Sequence, residues 1–279
     1  MTRAVMDGVL APIERLDVLL VKRGLARSRE QASTLIAAGA VEVEGRTVTK
    51  PSTRVHADAL VTATPTGPTY VSRGGHKLAG ALVDLAPLGL AVDDRRCLDA
   101  GASTGGFTQV LLAAGAGVVH AVDVGTGQLA PSIRADPRVI VHDGTNVREL
   151  DPATVDGPVD LVVADLSFIS LRKVLPGLAG CVDDDGDLLL MVKPQFEVGR
   201  GRVGVDGVVR SDDLRAEAVA GVAESADALG FGVAGASVSR LPGPAGNVEY
   251  FLWCRRDAPP AVAAALADLV RTGSWAGAG

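Results

Sequence analysis

The chain has 279 residues and carries 27 Lys+Arg against 33 Asp+Glu, a net charge of 27 − 33 = −6. Apolar residues make up 47% and charged residues 22%, the balance of a globular chain with a real core rather than a disordered one. The longest apolar runs, such as Leu188–Val192, are too short to cross a bilayer, and three scattered cysteines (Cys97, Cys181, Cys254) exclude a disulfide framework and a CxxC metal site.

The N-terminus shows no apolar run behind a basic start, so no secretory signal is expected, and the odd cysteines fit a reducing cytoplasm. Charge divides along the chain. Residues 1–80 hold 11 basic and 7 acidic side chains, a net of +4, and residues 81–279 hold 16 and 26, a net of −10. A solvated surface can give such a split by chance. Position argues otherwise, because Arg15, Lys22, Arg23, Arg27 and Arg29 crowd into one helical stretch.

In that stretch Leu16, Leu19 and Leu20 recur at helical spacing and Gly24 follows as a stop. Ser28 stands three residues before Gln31, the spacing of a capping box, and starts a second helix with Ala32, Leu35 and Ile36 on its apolar face. Gly39 ends it. Residues 41–48 alternate around a Gly-containing turn and predict a β-hairpin. Residues 64–69 form a turn-rich linker.

The run Arg15–Asp17, Ser28–Ala32, Ile36–Val41 and Val43 resembles the small α-L, or S4-like, RNA-binding domain found in a ribosomal small-subunit protein, some pseudouridine synthases and tyrosyl-tRNA synthetases. The resemblance implies RNA contact through Arg15, Lys22, Arg23, Arg27 and Arg29, with Arg3 ahead of them. Clustered guanidinium groups suit phosphates, which they grip bidentately while releasing counterions.

From Cys97 onward, short apolar runs alternate with helix-like segments. Candidate strands are 97–100, 118–122, 139–142, 161–164, 187–192, 233–240 and 249–254. Such alternation indicates βαβ units and a parallel sheet covered on both faces. Ligands of these sheets bind beyond the carboxyl ends of the strands.

The first strand ends in Asp99-Ala100-Gly101-Ala102-Ser103-Thr104-Gly105-Gly106-Phe107. Its glycines permit a tight turn and close approach of a ligand. Ser103 occupies the place of the second glycine of a G-x-G-x-x-G fingerprint, which argues against a nicotinamide cofactor. The next two strands end in Asp123 and Asp143, suited to ribose hydroxyls and to an adenine amino group; alternatively, both simply cap turns. The glycine loop with Phe107 and Thr108 looks like motif one of S-adenosylmethionine-dependent methyltransferases. More narrowly, it is similar to the ribose-methylating branch related to FtsJ. The resemblance implies S-adenosylmethionine bound by Asp99, Gly101, Ser103, Gly105, Gly106, Phe107, Asp123 and Asp143.

That branch carries a Lys-Asp-Lys-Glu set, and the sequence offers Lys77, Asp165, Lys193 and Glu249 in this order. Asp165 and Lys193 emerge abruptly from apolar strands, where a charge is costly unless paired or functional. A ribose 2′-hydroxyl is a poor nucleophile at neutral pH, and a lysine takes its proton only when burial or another cation makes it less basic. Lys193 is therefore expected to be the general base or the group steering the 2′-oxygen. Lys77 adds a second positive charge, and Asp165 and Glu249 orient the lysines. Either lysine alone would read as a surface salt bridge. No metal and no covalent enzyme intermediate are called for. His76 is expected to be structural and Asp183–Asp185 a solvated turn. Phe168 and Phe196 follow the two key strand ends, where they either stack on a base or pack inside. Arg200 and Arg202 lie in a Gly-rich loop that either holds rRNA backbone or is a plain turn.

Together with the segments 72–78, 98–107, 164–171 and 192–199, these features resemble the TlyA (haemolysin A) family over about residues 12–256. The expected fold is α/β: a Rossmann-like methyltransferase with a mostly parallel seven-stranded sheet, plus a small N-terminal α+β RNA-binding domain. The expected domains are 1–63 (S4-like), 64–72 (linker), 73–256 (FtsJ-like methyltransferase) and 257–279 (tail). The resemblance implies 2′-O-methylation of cytidines in 16S and 23S rRNA within ribosomal subunits, and a link to susceptibility to cyclic-peptide antibiotics such as capreomycin. It further implies both rRNAs for members with an extended N-terminus, as here, and the small subunit alone for shorter ones. The rival expectations are a non-catalytic ribosome assembly factor and a membrane-lytic toxin, the latter without a basic amphipathic helix to support it.

Overall fold

The computed structural model describes residues 12–26, 28–63, 69–275 and 277. The chain divides into two compact units, Met1–Thr69 and Tyr70–Gly279.

In the first unit β1 (Ile13–Arg15) leads into α1 (Leu16–Lys22), then α2 (Arg29–Ala37), β2 (Val41–Val43), β3 (Arg46–Thr47), β4 (Arg54–His56) and β5 (Val61–Ala63). Strand β1 pairs with β4, and β3-β2-β5 form a second antiparallel sheet. Leu16, Leu19 and Leu20 of α1 bury against Ala32 and Ile36 of α2 and against Val41, Val55 and Val61. The Ser28 hydroxyl caps α2 by accepting the Gln31 N–H at 3.2 Å. The β2–β3 turn places Glu44 (φ 50°) and Gly45 (φ 73°) in the left-handed region, as a two-residue type I′ hairpin requires. The strands β1, β4 and β5 were not legible in the sequence, because they are as short as β2 and β3 but have no glycine turn joining them to a neighbour to mark a hairpin.

The second unit opens with α3 (Arg73–Leu85). It continues through β6 (Arg96–Ala100), α4 (Gly106–Ala113), β7 (Val118–Asp123), α5 (Pro131–Arg134), β8 (Val139–Asp143), β9 (Val159–Ala164), α6 (Leu175–Gly180) and β10 (Val182–Val192). It ends with α7 (Pro194–Glu197), α8 (Asp212–Asp227), β11 (Gly232–Val238), β12 (Tyr250–Arg255) and α9 (Ala263–Thr272). The sheet order is β11-β12-β10-β9-β6-β7-β8, with β12 antiparallel to both neighbours and the remaining strands running one way. This is the mostly parallel seven-stranded sheet expected. Both faces are covered, which explains the near-continuous apolar strands. Leu188, Leu190 and Val192 of β10 face the core under α6, α8 and α9, whereas Leu189 and Met191 face the core under α3 and α4.

Two expectations need correction. Asp183–Asp185 do not form a turn; they are an exposed stretch of β10, set off from its apolar part by a register shift between Val182 and Asp187. Residues 257–279 are not merely a tail, since α9 buries Leu266 and Leu269 in the core, an apolar stripe hidden by the surrounding alanines. No helix among the described residues is long and apolar enough to cross a membrane. Chain order reverses between β6 and β9, and at such a switch point a crevice opens beyond the strand carboxyl ends.

Candidate active site

At the end of β6 the chain turns through Gly101 (φ 88°), Ser103 (φ 48°) and Gly105 (φ 93°) before α4 starts at Gly106. A Cβ on Gly101 would sit 2.7 Å from the Asp165 carbonyl oxygen, so glycine is required there by backbone angle and by space. Gly101→Ala is therefore expected to destabilise the unit by about 1–3 kcal/mol. It should also weaken binding of the ligand the loop serves, as thermal melts and calorimetry would show.

Asp123 shapes this loop. Its two oxygens accept the Ser103 N–H at 2.8 Å and the Gly125 N–H at 2.7 Å. Each oxygen keeps a lone pair for a ligand hydroxyl. Asp143 accepts the Gly127 N–H at 3.2 Å and the Arg134 guanidinium at 2.7 Å, both on Oδ2, and the Arg134 contact holds its carboxyl below the usual carboxylate range. The turn-capping alternative thus describes part of what both aspartates do. Phe107 requires a correction: its ring is buried against Phe251, 6.1 Å away, in the core and not in the crevice.

Asp99 is wholly buried. Thr108 Oγ1 donates to its Oδ2 at 2.6 Å, and Oδ1 has no partner. Burial pushes the carboxyl up to about 7, with the Asp165 and Asp123 charges adding to the push. The folded state therefore keeps this proton to higher pH than the unfolded chain does. That contribution to stability is complete below the unfolded value of 3.8 and is lost as pH rises through about 7. The side-chain amide of an Asp99→Asn variant cannot ionise, so the variant's melting temperature should gain on that of the parent between about pH 5 and about pH 8. An unchanged difference across that range would contradict the burial effect.

The four charged residues form two pairs. Lys77 Nζ lies 2.5 Å from Glu249 Oε2, with both side chains buried. Lys193 Nζ lies 2.5 Å from Asp165 Oδ1 and donates to Ser167 Oγ at 3.1 Å. The Asp165 contact is charge against charge; the aligned hydrogen bond goes to Ser167. Val192 pairs antiparallel with Tyr250, so Lys193 and Glu249 each stand next to the last pair of this ladder. The parallel pairing of Ala164 with Leu190 brings Asp165 to the same edge. Lys77 reaches Glu249 from α3, and the Asp165 backbone lies against Gly101 of the glycine loop.

Next to them Phe168 projects, 92% exposed and with φ 64°, a strained angle for an aromatic residue. Its ring lies 5.4 Å from that of the half-buried Phe196. Interior packing is excluded for Phe168. Arg202 is engaged bidentately by Glu217, which fits a held loop. In the first unit Arg15 and Arg29 both bind Asp17, Lys22 pairs with Glu14, and Arg23 donates to the Ala57 and Ala59 carbonyls. The guanidinium groups of Arg15 and Arg29 hold the Asp17 carboxyl down at about 2. Arg3, Arg27 and the side chain of Arg200 lie outside the described residues. His76 packs edge-on against Tyr70, with ring centroids 4.9 Å apart. Sequence reasoning missed Ser167 and the buried Glu197, both within the segments it had quoted, 164–171 and 192–199. Among the described residues no cluster of three or more His, Cys, Asp or Glu is arranged to hold a metal.

This sheet order, with a glycine turn at the first strand and paired lysines and carboxylates at the neighbouring strand ends, defines a Rossmann-like methyltransferase. The model of the FtsJ-like methyltransferases matches residues 70–256, and that of the S4 domain matches residues 14–61. The chain is 56% identical over 251 residues to the 16S/23S rRNA (cytidine-2′-O)-methyltransferase TlyA of Mycobacterium tuberculosis, covering 90% of this chain and 92% of that one. It is 34% identical to the 23S rRNA (cytidine-2′-O)-methyltransferase TlyA of Campylobacter jejuni, covering 66% and 70%. A solved Streptococcus thermophilus structure of the hemolysin group superposes with TM-score 0.72 at 38% identity, covering 94% of this chain and 96% of that one. The chain belongs to the FtsJ-like methyltransferase family, in its S4-bearing TlyA branch.

Proposed function

We propose that the chain methylates the ribose 2′-oxygen of cytidine in 16S and 23S rRNA, with S-adenosylmethionine as donor, acting on ribosomal subunits in the cytoplasm. The observation that carries this reading is the buried Lys193, held by Asp165 and Ser167 at a strand end beside the glycine loop. The names of the mycobacterial and Campylobacter relatives support the cytidine and rRNA specificity.

The residues present fit the donor. Gly101 lets the loop run close against the Asp165 carbonyl where a Cβ would not fit, Asp99 Oδ1 is buried without a partner, and Asp123 and Asp143, side by side at the ends of β7 and β8, offer carboxylates of the kind a cation and a ribose call for. When bound, S-adenosylmethionine supplies a methyl group activated by a sulfonium. Everything else falls to the chain. In the steering role, Lys193 Nζ donates to the 2′-oxygen and fixes its line of attack; in the base role, it takes the hydroxyl proton, and Asp165 balances the charge so formed. Lys77, neutralised by Glu249, buttresses this arrangement from α3. Phe168 offers an exposed face on which a base displaced from its stack can rest. Holding the two substrates in register supplies much of the acceleration.

The test is transfer of labelled methyl from S-adenosylmethionine to isolated small subunits, isolated large subunits and naked rRNA, with the product nucleoside identified. 2′-O-methylcytidine in both subunits is the expected result. Label in one subunit only would overturn the dual specificity, and label in neither would overturn the substrate class.

A further inference from the structure

The loops after β9 and β10 carry the site, and they are joined at two places. The near junction is Lys193 with Asp165 and Ser167. The far junction is Glu197, at the end of α7. Its carboxylate accepts Ser170 Oγ at 2.6 Å, the Leu171 N–H at 2.7 Å and Arg172 Nε at 3.3 Å. Its backbone carbonyl accepts a further Arg172 N–H at 2.8 Å. The side chain is only 2% exposed. Between the two junctions sit the touching rings of Phe168 and Phe196.

A carboxylate is costly to bury unless its charge is answered, and here a hydroxyl, an amide and a guanidinium all answer it. All three belong to residues 170–172, just past the segment that holds Asp165, Ser167 and Phe168. Glu197 itself follows Lys193 by four residues on the partner loop. Phe168 needs such an anchor, because its left-handed backbone persists only where the surroundings over-determine it.

We propose that Glu197 is a positioning residue for methyl transfer: it locks the 165–172 loop to the 193–197 loop, and so sets Asp165 and Ser167 against Lys193 and holds Phe168 at the mouth of the site. This rests on the reading of the site as an rRNA methyltransferase. Glu197 touches neither substrate. It acts through the geometry of residues that do, so its loss should lower turnover and leave the donor site, built on β6, β7 and β8, as it was.

The experiment compares full-length parent, Glu197→Gln and Glu197→Ala for methyl transfer to ribosomal subunits, S-adenosylmethionine affinity and melting temperature. Glu197→Ala should lose about tenfold or more in kcat, the scale of a small misplacement of reacting groups. Its donor Kd should stay within about twofold, since the donor site makes no use of it. Glu197→Gln should recover part of the loss, because an amide oxygen still accepts the Leu171 N–H and the amide nitrogen can donate to Ser170 Oγ, while the contact from Arg172 Nε is lost. Parent-like kcat in a folded Glu197→Ala would overturn the proposal, as would a donor Kd that falls away in step with kcat. Should Glu197→Ala fail to fold, the double variant Ser170→Ala/Arg172→Ala decides. Lowered kcat with unchanged donor Kd supports the clamp, and unchanged kcat sinks it. If the parent labels neither subunit, the substrate reading fails and not the clamp alone.

Discussion

Alanine in place of Lys193 lowers the rate of methyl transfer by about a hundred- to ten-thousand-fold, the range for a positioned proton-transfer group. In free energy this is about 3–5 kcal/mol of transition-state stabilisation. Donor binding should survive, because the glycine loop is set by Asp123 and its own backbone angles. The fold should survive too, since the partner left behind, Asp165, is partly exposed and can be solvated. Arginine at the same position separates the two roles open to Lys193. A guanidinium donates hydrogen bonds but does not give up its proton at any working pH. If Lys193 steers the 2′-oxygen, Lys193→Arg keeps measurable activity that does not follow the titration of the replaced group. If Lys193 is the base, Lys193→Arg is as inactive as Lys193→Ala. Single-turnover rates across pH, with donor affinity measured alongside, read out both. Full activity in Lys193→Ala would remove this residue from the mechanism.

Most strands of the methyltransferase unit were legible because they lie between two apolar layers, and the half-exposed edge strand β8 was legible from its short Val-Ile-Val run. A run such as Leu161–Ala164 or Leu188–Val192 has no other soluble explanation. The charged residues were legible for the complementary reason: Asp165 and Lys193 break those runs at the carboxyl ends, where a charge has to be answered. What could not be read was the pairing. Nothing in the local sequence says that Lys77 takes Glu249 while Lys193 takes Asp165; that follows from the placing of α3, which brings Lys77 to Glu249, and from the parallel pairing of β9 with β10, which brings Asp165 to Lys193. Nothing in the local sequence marked Glu197, and only the return of residues 170–172 makes it a junction. Phe107 was misread because the glycine loop runs straight into a core-facing helix, so motif membership and contact with the crevice part company within one residue. In the first unit Asp17 is buried and gathers Arg15 and Arg29, a pairing that the spacing of the basic residues did not show.

That last point sets the size of the second large effect. Removing residues 1–62 is expected to weaken binding to ribosomal subunits by about a hundredfold near physiological salt, and to flatten the dependence of log affinity on log salt. Counting the five basic residues of the helical stretch as five phosphate contacts would predict a drop in slope of about 3.5–4.5. The observed pairing lowers that figure. Lys22 is answered by Glu14, and Arg15 and Arg29 share one carboxylate, so those three cations carry a net charge of one. With Arg23, which spends its donors on carbonyls but keeps its charge, the described part of the stretch is equivalent to about two phosphate contacts, and the slope should fall by about 1.4–1.8. The pairing has a compensating benefit. Asp17 holds Arg15 and Arg29 in fixed positions, and each guanidinium keeps unused N–H donors for a phosphate, so less side-chain entropy is lost on contact. The effects of this truncation and of Lys193→Ala should therefore be opposite in kind. The truncated chain should bind RNA weakly and retain its donor affinity, with most of the lost kcat/KM residing in KM. Lys193→Ala should bind both substrates and fail in kcat. Filter binding over a salt series, with initial rates at rising subunit concentration, distinguishes them. Parent-like affinity and slope in the truncated chain would mean that the acidic methyltransferase unit holds the RNA alone, against the division of charge along the sequence.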